Sequence, residues 1–310
     1  MTEKFEAINW NKIPNRVDYS AWSRLNDFIW EPERIPVSED KPDFKQLSPE
    51  IQDAFLKALA SLAFMSTIQV KIGDSAVKKD AVTPQEYSVF NALNYLESIA
   101  NKGYSNLIQA LANPLKINSY FDWANDQDEL QTLAHKLIDI YENGAAWQKK
   151  IVLSFTEMAF YHIGFYGPTY LFGQGKLVRS AELLKLAVRS TSFNAMYPGV
   201  KFRLETADKP ADEQKNFETW TNDFIKEIAP VMEKHIDKLY GKLGSTDDAK
   251  HYFHYTINKN FMNLGYPTPY PEDTDSLSET IQKGLIKSAN FEDFFFYSNA
   301  NTLTKFHENK

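Results

Sequence analysis

One stretch of the chain, residues 93–111 (LNYLESIANKGYSNLIQAL), constrains the fold more than any other. Its apolar residues recur at steps of three and four, which is the spacing of one helix face packed against a core. Glu97 lies on this face, and Tyr104 follows two turns later. Because a bare buried carboxylate is costly, Glu97 must be paired, protonated or bound to a cation. We therefore expect the other helices to enclose Glu97 and Tyr104.

Composition excludes several classes of protein. The 310 residues are 43% hydrophobic and include only 12 glycines, which suits one large domain with long helices. A net charge of −7 argues against a general nucleic-acid binder, and the lack of cysteine excludes disulfides and thiolate metal sites. The first residues form no apolar signal segment, and we expect no run long enough to cross a membrane. A soluble, cytoplasmic protein is therefore expected.

Helix signals divide the chain into three predicted parts. Residues 1–46 read as an irregular, aromatic-rich N-terminal arm, because four prolines interrupt them. Residues 47–290 form a helical bundle domain, and residues 291–310 form a C-terminal tail. Helices are predicted from about 50–73, 84–112, 119–143, 145–166, 177–197, 212–241, 247–264 and 276–288, with a loop at 167–175 around Pro168. With strands minor or absent, the fold class is an all-α helix bundle.

A second acid lies on a core-facing stripe of another helix. Leu153, Glu157, Phe160, Tyr161 and Gly164 share one face of the predicted helix 145–166. In ferritin-like dinuclear carboxylate proteins, two helices each give one acid and two others each give Glu-x-x-His. Four helices of this chain aim the corresponding positions at one place: Ser66; Glu97 with Ala100; Glu157; and Thr191 with Asn194.

A series of motifs connects the chain to a known family. They are INWNKIP with spaced Trp and Pro over residues 8–36, STIQ at 66–69, DAVTPQE at 80–86, the Glu97-to-Tyr104 step, GFYGP at 164–168 and INKNFMNLGY at 257–266. In this order they resemble the small, radical-bearing (beta) subunit of class Ib ribonucleotide reductase, of the ferritin-like superfamily. The resemblance covers residues 7–297 and implies a ferritin-like bundle that supplies a radical to a large subunit for deoxyribonucleotide synthesis.

The resemblance implies six metal ligands, and this chain replaces four of them. The family normally has Asp at position 66, His at 100, Glu at 191 and His at 194. Here Ser66, Ala100, Thr191 and Asn194 stand there, and only Glu97 and Glu157 remain as candidate ligands.

The resemblance also assigns roles to aromatic residues. Tyr104 matches the tyrosine that is oxidised to a radical, and Trp30 matches a residue of the radical-transfer route. Ser190 stands where that route normally has an Asp, and no Tyr follows Tyr297, although the family usually ends in an acidic tail with a radical-relaying Tyr. Tyr104 as an ordinary core residue, and the two acids as inherited relics, stay open.

The donor set limits the cofactor. A dinuclear Mn or Fe centre carries roughly four or more positive charges, which four carboxylates usually neutralise. None of the six histidines falls on a ligand position, so we expect no dinuclear metal site. The alternatives are a single weakly bound Mn, Fe or other divalent cation at Glu97 and Glu157, or a modified Tyr104. Without a metal, the two acids would share a proton.

Three functions follow from these observations. The first is a divergent ribonucleotide reductase small subunit that works without the usual metals and meets a large subunit. The second is a catalytically silent paralogue that regulates or scaffolds an intact small subunit. The third is a cage for a small ligand, because the short side chains at the replaced positions open volume. The resemblance implies a homodimer, and neither nucleic acid nor a membrane is an expected partner.

Overall fold

The computed structural model describes residues 7–271 and 277–286, and every regular element within these ranges is helical. The predicted all-α class is confirmed. The helices are α1 (Arg16–Leu25), α2 (Lys41–Gln46), α3 (Pro49–Ile68), α4 (Asp74–Lys79), α5 (Pro84–Leu111), α6 (Ile117–Asn125), α7 (Asp128–Asn143), α8 (Ala146–Phe155), α9 (Tyr161–Gly173), α10 (Val178–Thr206), α11 (Ala211–Tyr240), α12 (Thr246–Leu264) and α13 (Glu279–Ile286). The predicted tail, 291–310, lies outside the described residues.

Helix α5 is the central element of the bundle. It packs against α3 on one side and α10 on another, and α1 lies across it. Helices α8 and α9 complete the enclosure through contacts with α10 and α3 respectively. The apolar face predicted for residues 93–111 is buried, including Leu93, Leu96 and Leu107. Each of these helices therefore turns one face toward the same interior.

The N-terminal arm is more regular than predicted. Residues 15–31 contain no proline, and α1 forms within them. Asn15 caps this helix, because its side chain accepts from the amides of Val17 and Asp18. Further along, the Asp40 carboxylate accepts from the amides of Arg179 and Ser180 at the start of α10. Near the beginning of the arm, the Gln85 side chain of α5 donates to the Lys12 carbonyl at 3.0 Å, so the arm is tied to the bundle at both ends.

The loop predicted at 167–175 is wrong, because α9 continues through Pro168 to Gly173. Proline removes a backbone donor and usually kinks or ends a helix. Here the Tyr240 hydroxyl enters the helix beside the proline: it donates to the Ile163 carbonyl at 2.7 Å and accepts from the Gly167 amide at 3.3 Å. A side chain of α11 thus completes the hydrogen bonding of α9.

Two other predicted boundaries need correction. The helix predicted at 119–143 is two helices, because the chain turns at Asp126 and Gln127, where the Gln127 side chain donates to the Trp123 carbonyl at 2.7 Å. The helix predicted to end near 197 runs on past Pro198 to Thr206. Beside that proline the Ala195 carbonyl accepts from Ser154 Oγ at 2.8 Å, which satisfies it within the core.

Two π-helical turns join consecutive helices. The turn Gln69–Gly73 connects α3 to α4, and the turn Thr156–Phe160 connects α8 to α9. Such wide turns are rare and often lie at functional sites. The second one carries Glu157.

A buried ion cluster fixes the arm to the bundle. Lys201 Nζ lies 3.1 Å from Asp18 Oδ1 and 3.3 Å from Glu86 Oε2, and all three side chains are fully buried. Lys150 Nζ lies 3.5 Å from Glu86 Oε1 and 2.6 Å from Glu205 Oε2. The cluster therefore links α1, α5, α8 and α10 with opposite charges in contact. The sequence patterns gave no sign of it.

One helical stretch within the described residues, Pro49–Lys79, is long and apolar enough by composition to cross a membrane, which the sequence analysis did not expect. However, 67% of its most apolar window is buried inside the protein. Packing in the core therefore accounts for its composition.

Replacing Lys201 with Met should destabilise the protein by about 3 to 5 kcal/mol, because two buried carboxylates would lose a partner charge. Urea unfolding at neutral pH measures the change. The matched control is Lys209→Met, which removes a lysine 3.8 Å from Glu213 on the surface and should change stability by less than about 1 kcal/mol. Equal effects of the two substitutions would contradict the importance of the buried cluster.

Candidate functional site

The positions singled out from the sequence are all buried where four helical segments meet. Helix α3, α5, the turn Thr156–Phe160 and α10 supply them, and we call this set of seven residues the cage: Ser66, Glu97, Ala100, Tyr104, Glu157, Thr191 and Asn194. Residues three, four and seven apart on α5 share its inner face, which places Glu97, Ala100 and Tyr104 together.

Glu97 and Glu157 form a carboxyl pair at the centre of the cage. Burial raises the pKa of Glu97 to about 7, and the hydrogen bond from Tyr161 opposes this rise. Burial raises the pKa of Glu157 well above its usual value, and the nearby charges of Glu97 and Asp74 add to the effect. Like charges at close range cannot both ionise cheaply. The pair therefore keeps at least one proton at neutral pH.

The polar side chains around this pair divide into two kinds. The Ser66 hydroxyl accepts from Asn101 Nδ2 at 2.6 Å and donates to the Ala63 carbonyl, and the Thr191 hydroxyl donates to the Val188 carbonyl at 3.1 Å. Both hydroxyls are thus satisfied within the protein. Asn194 lies beside the two acids and lowers the pKa of each, yet its amide atoms make no hydrogen bond of regular geometry with any described residue.

The cage does not fit a dinuclear metal centre. Two carboxylates cannot balance two divalent or trivalent ions, and Ser66 and Thr191 direct their hydroxyl protons to backbone carbonyls. Within residues 7–271 and 277–286, no three His, Cys, Asp or Glu side chains come together in a way that could hold a metal ion. His162 is buried on the far side of its helix against Tyr252, with 2.7 Å between Nδ1 and the hydroxyl. This histidine therefore adds no donor to the cage.

Tyr161 is a cage-lining residue whose role the sequence analysis missed. Its hydroxyl donates to Glu97 Oε1 at 2.7 Å, and both side chains are buried. Tyr161 stands one turn after Glu157, on the same predicted helix face, but no hydrogen bond or catalytic role was predicted for it. That four-residue spacing was the available signal.

Asp74 is a second residue that the sequence analysis missed. It opens α4 just after a π-helical turn, is buried, and has its pKa raised well above the usual value, first by burial and then by the charge of Glu97. The turn directs this acid inward, out of step with the spacing of α3, to where its charge influences the pair, although within the described residues the three acids do not come together as metal ligands. A search for helical periodicity therefore could not find it.

Tyr104 is fully buried. Its ring contacts Phe165 edge-on, with 6.2 Å between centroids, and its hydroxyl has no hydrogen-bond partner among the described residues. Burial and the charges of the two acids raise its pKa well above the usual value, so the phenol stays neutral.

Trp30 lies against α5 at Gly103, the residue before Tyr104 in sequence. A Cβ added at Gly103 would lie 3.0 Å from the Trp30 ring, so a larger residue there would push the ring aside by a few tenths of an ångström. In the part of the chain that the structure describes, Trp30 Nε1 has no hydrogen-bond partner, and the Ser190 hydroxyl donates to the Leu186 carbonyl. The candidate roles of Tyr104 and Trp30 stay predictions.

Comparison with known proteins agrees with the fold and the arrangement of these helices. The family model for the ribonucleotide reductase small chain matches residues 7–280. Ribonucleoside-diphosphate reductase subunit beta nrdF1 of Mycobacterium tuberculosis is 30% identical over 96% of this chain and 92% of its own length. The subunit beta of ribonucleoside-diphosphate reductase 2 from Escherichia coli is 28% identical over 94% of this chain and 92% of its own.

Solved structures give the same result. The crystal structure of dimanganese(II)-NrdF from Streptococcus sanguinis superposes with a TM-score of 0.88 at 34% identity, covering 91% of this chain and 100% of that one. A putative class I ribonucleotide reductase from Bacillus halodurans shares the fold, with a TM-score of 0.77 at 20% identity over 86% of this chain and 99% of that one. By sequence and by structure, this chain belongs to the ribonucleotide reductase small-chain family.

Proposed function

We propose that this chain is the small subunit of a ribonucleotide reductase that supplies a protein radical to a large subunit without the usual dinuclear metal centre. The observation that carries the proposal is the cage, which keeps two acids and two tyrosines buried although it lacks the donors for two metals. Homology over residues 7–280 supports the reductase part. A homodimer in the cytoplasm, with no nucleic-acid or membrane partner, belongs to the same proposal.

The residues of the cage have properties that suit the storage of an oxidising equivalent. Burial excludes water from the tyrosine rings, and the acid pair holds a proton that can move without leaving the core. The resemblance suggests Tyr104 as the storage residue, modified or not, and Trp30 beside Gly103 as the exit for the electron. A single divalent cation bound weakly by Glu97 and Glu157 stays an alternative.

A second candidate function is a catalytically silent paralogue. The replaced ligand positions favour it, as does Ser190, whose hydroxyl bonds within its own helix. Such a chain would bind an intact small subunit and regulate or scaffold it. The small-ligand cage stays a third prediction.

Ribonucleotide reduction distinguishes the two main functions. The full-length chain is combined with the large subunit from the same organism, after chelation and desalting, and product formation is measured together with the EPR spectrum. Turnover that needs both proteins is expected. A chain that gives no turnover alone but alters the activity of an intact small subunit would establish the silent paralogue instead.

Metal content tests the donor argument directly. The natural chain, loaded with Mn(II) or Fe(II) and desalted, should keep less than about one ion per chain. A variant that restores the family ligands (Ser66→Asp, Ala100→His, Thr191→Glu and Asn194→His) should keep about two. Elemental analysis and the EPR signal of coupled ions measure both. Two ions per natural chain would contradict the conclusion that the cage does not fit the metals.

The acid pair should make stability depend on pH. The folded state keeps the Glu97 proton up to about pH 7, whereas the unfolded chain loses it near the ordinary pKa of 4.5, so stability falls as pH rises through this window. The substitution Glu97→Gln should therefore stabilise the protein by a few kcal/mol above pH 7 and have little effect below pH 4.5.

Urea unfolding across this pH range provides the measurement. The control is Glu227→Gln, which removes an exposed carboxylate paired with Lys136 and should leave the profile unchanged. A Glu97→Gln profile parallel to that of the natural protein would contradict the buried, protonated pair.

A further inference from the structure

The two tyrosines at the cage differ in what their hydroxyls contact. Tyr161 Oη donates to Glu97 Oε1 at 2.7 Å, whereas the Tyr104 hydroxyl lacks a partner among the residues that the structure describes. Both rings are fully buried, and they are close enough for the charge of one to affect the pKa of the other. The surroundings of the two rings therefore differ chiefly in the carboxylate.

This difference decides which ring can be oxidised in a dry interior. A phenol that loses an electron must also lose its hydroxyl proton, because a buried cation radical would be strongly disfavoured. The cage side chains are at most 1% exposed to bulk solvent, so the proton needs an acceptor already within hydrogen-bond distance. Glu97 Oε1 meets this requirement for Tyr161 once Glu97 is ionised, above its raised pKa of about 7. No such acceptor is present for Tyr104 among the described residues.

Two other buried tyrosines also donate to carboxylates, and their surroundings are less suitable. The Tyr197 hydroxyl donates to Asp18 Oδ1 at 2.9 Å, but Lys201 and Thr83 also hold that carboxylate, which weakens it as a base. The Tyr166 hydroxyl donates to Asp248, but Ser278 also donates to that carboxylate, and Tyr166 lines a surface cavity of about 380 Å³. The carboxylate of Glu97 has neither a lysine partner of this kind nor an open cavity beside it in the described structure.

We propose that Tyr161, with Glu97 as its proton acceptor, is the redox-active tyrosine of this chain. One electron passes from the Tyr161 ring to an outer-sphere one-electron oxidant, whose oxidation state falls by one. The phenolic O–H bond breaks, its proton forms an O–H bond with Glu97 Oε1, and a neutral phenoxyl radical remains. Return of one electron and the same proton restores the tyrosine. The inference deepens the proposed function and rests on it for its role in nucleotide reduction, and it moves the storage role from Tyr104, which the resemblance suggests, to Tyr161.

Photochemical oxidation of the full-length chain tests this inference without a large subunit. Photogenerated tris(bipyridine)ruthenium(III) supplies the one-electron oxidant at a pH well above 7, where Glu97, whose pKa is about 7, is ionised. The EPR spectrum is recorded after the radicals of the exposed Tyr19, Tyr87 and Tyr95 have decayed. A persistent phenoxyl signal is expected, with its largest g value lowered by the hydrogen bond from Glu97. Its formation should slow in D₂O, because the proton moves with the electron.

Four variants locate the signal. Tyr161→Phe should lower the persistent signal roughly tenfold or more, and Glu97→Gln, which keeps an acceptor oxygen but is a poor base, should do the same. Tyr104→Phe removes the other cage hydroxyl, and Tyr166→Phe removes a hydroxyl from a tyrosine–carboxylate pair outside the cage; both should stay within about twofold of the natural chain. Circular dichroism and urea unfolding identify any variant that fails to fold. If a variant does not fold, the D₂O effect and the g value of the natural chain show whether the radical tyrosine has a proton-accepting partner.

The outcomes separate this inference from the proposed function. A persistent signal that survives Tyr161→Phe and disappears in Tyr104→Phe would overturn it, as would the absence of a persistent signal in the natural chain. Oxidation at Tyr161 without nucleotide reduction by the combined subunits would support the redox pair and refute the reductase role alone. Reduction that is unaffected by Tyr161→Phe would support the reductase role and refute Tyr161.

Discussion

The cost of burying carboxyl groups in an apolar helix bundle determines how this protein is organised. The chain meets that cost in two different ways within one domain. Around Asp18 and Glu86, buried lysines supply opposite charge, and the acids act as structural anchors. Around Glu97 and Glu157, burial favours the protonated acids and the Tyr161 hydroxyl donates to Glu97, so these acids keep chemistry that can change state. The similar NrdF of Streptococcus sanguinis was solved as a dimanganese(II) protein.

Much of the fold could be predicted because long amphipathic helices show their period in the sequence. The start signals at Ser48 and Thr83 are confirmed: each hydroxyl accepts from the amide three residues later. The errors occurred where tertiary contacts overrule local preference. Pro168 read as a helix breaker, and only the Tyr240 hydroxyl from a distant helix explains why α9 continues. Helix α1 in the arm was not predicted, because the four prolines of the arm were taken to exclude helices. Residues 15–31, however, contain no proline, and α1 forms there.

The candidate site divides along the same line. The burial of Glu97, Glu157 and Tyr104 followed from helical spacing, and the replaced ligands followed from the resemblance. Tyr161 stood on the predicted face, but nothing in one sequence shows that its hydroxyl reaches a carboxylate on another helix. The inward position of Asp74 could not be predicted for a different reason. The π-helical turn before it shifts the helical register, so Asp74 is buried although the 3.6-residue spacing of α3 would not place it on the inner face.

The Tyr240 contact also bears on how the molecule assembles. Helix α9 completes its backbone hydrogen bonds through a side chain 77 positions away in sequence, so the segment around Pro168 has no full set of partners until α11 arrives. The α9 segment around Pro168 therefore completes its helix only when α11 docks against it. This adds a non-local step to the folding of an otherwise local, helical topology. The Gly167 amide, held by that hydroxyl, can exchange its proton with solvent only when the two helices separate. The continuity of α9 thus depends on the packing of α11 against it, through the Tyr240 hydroxyl.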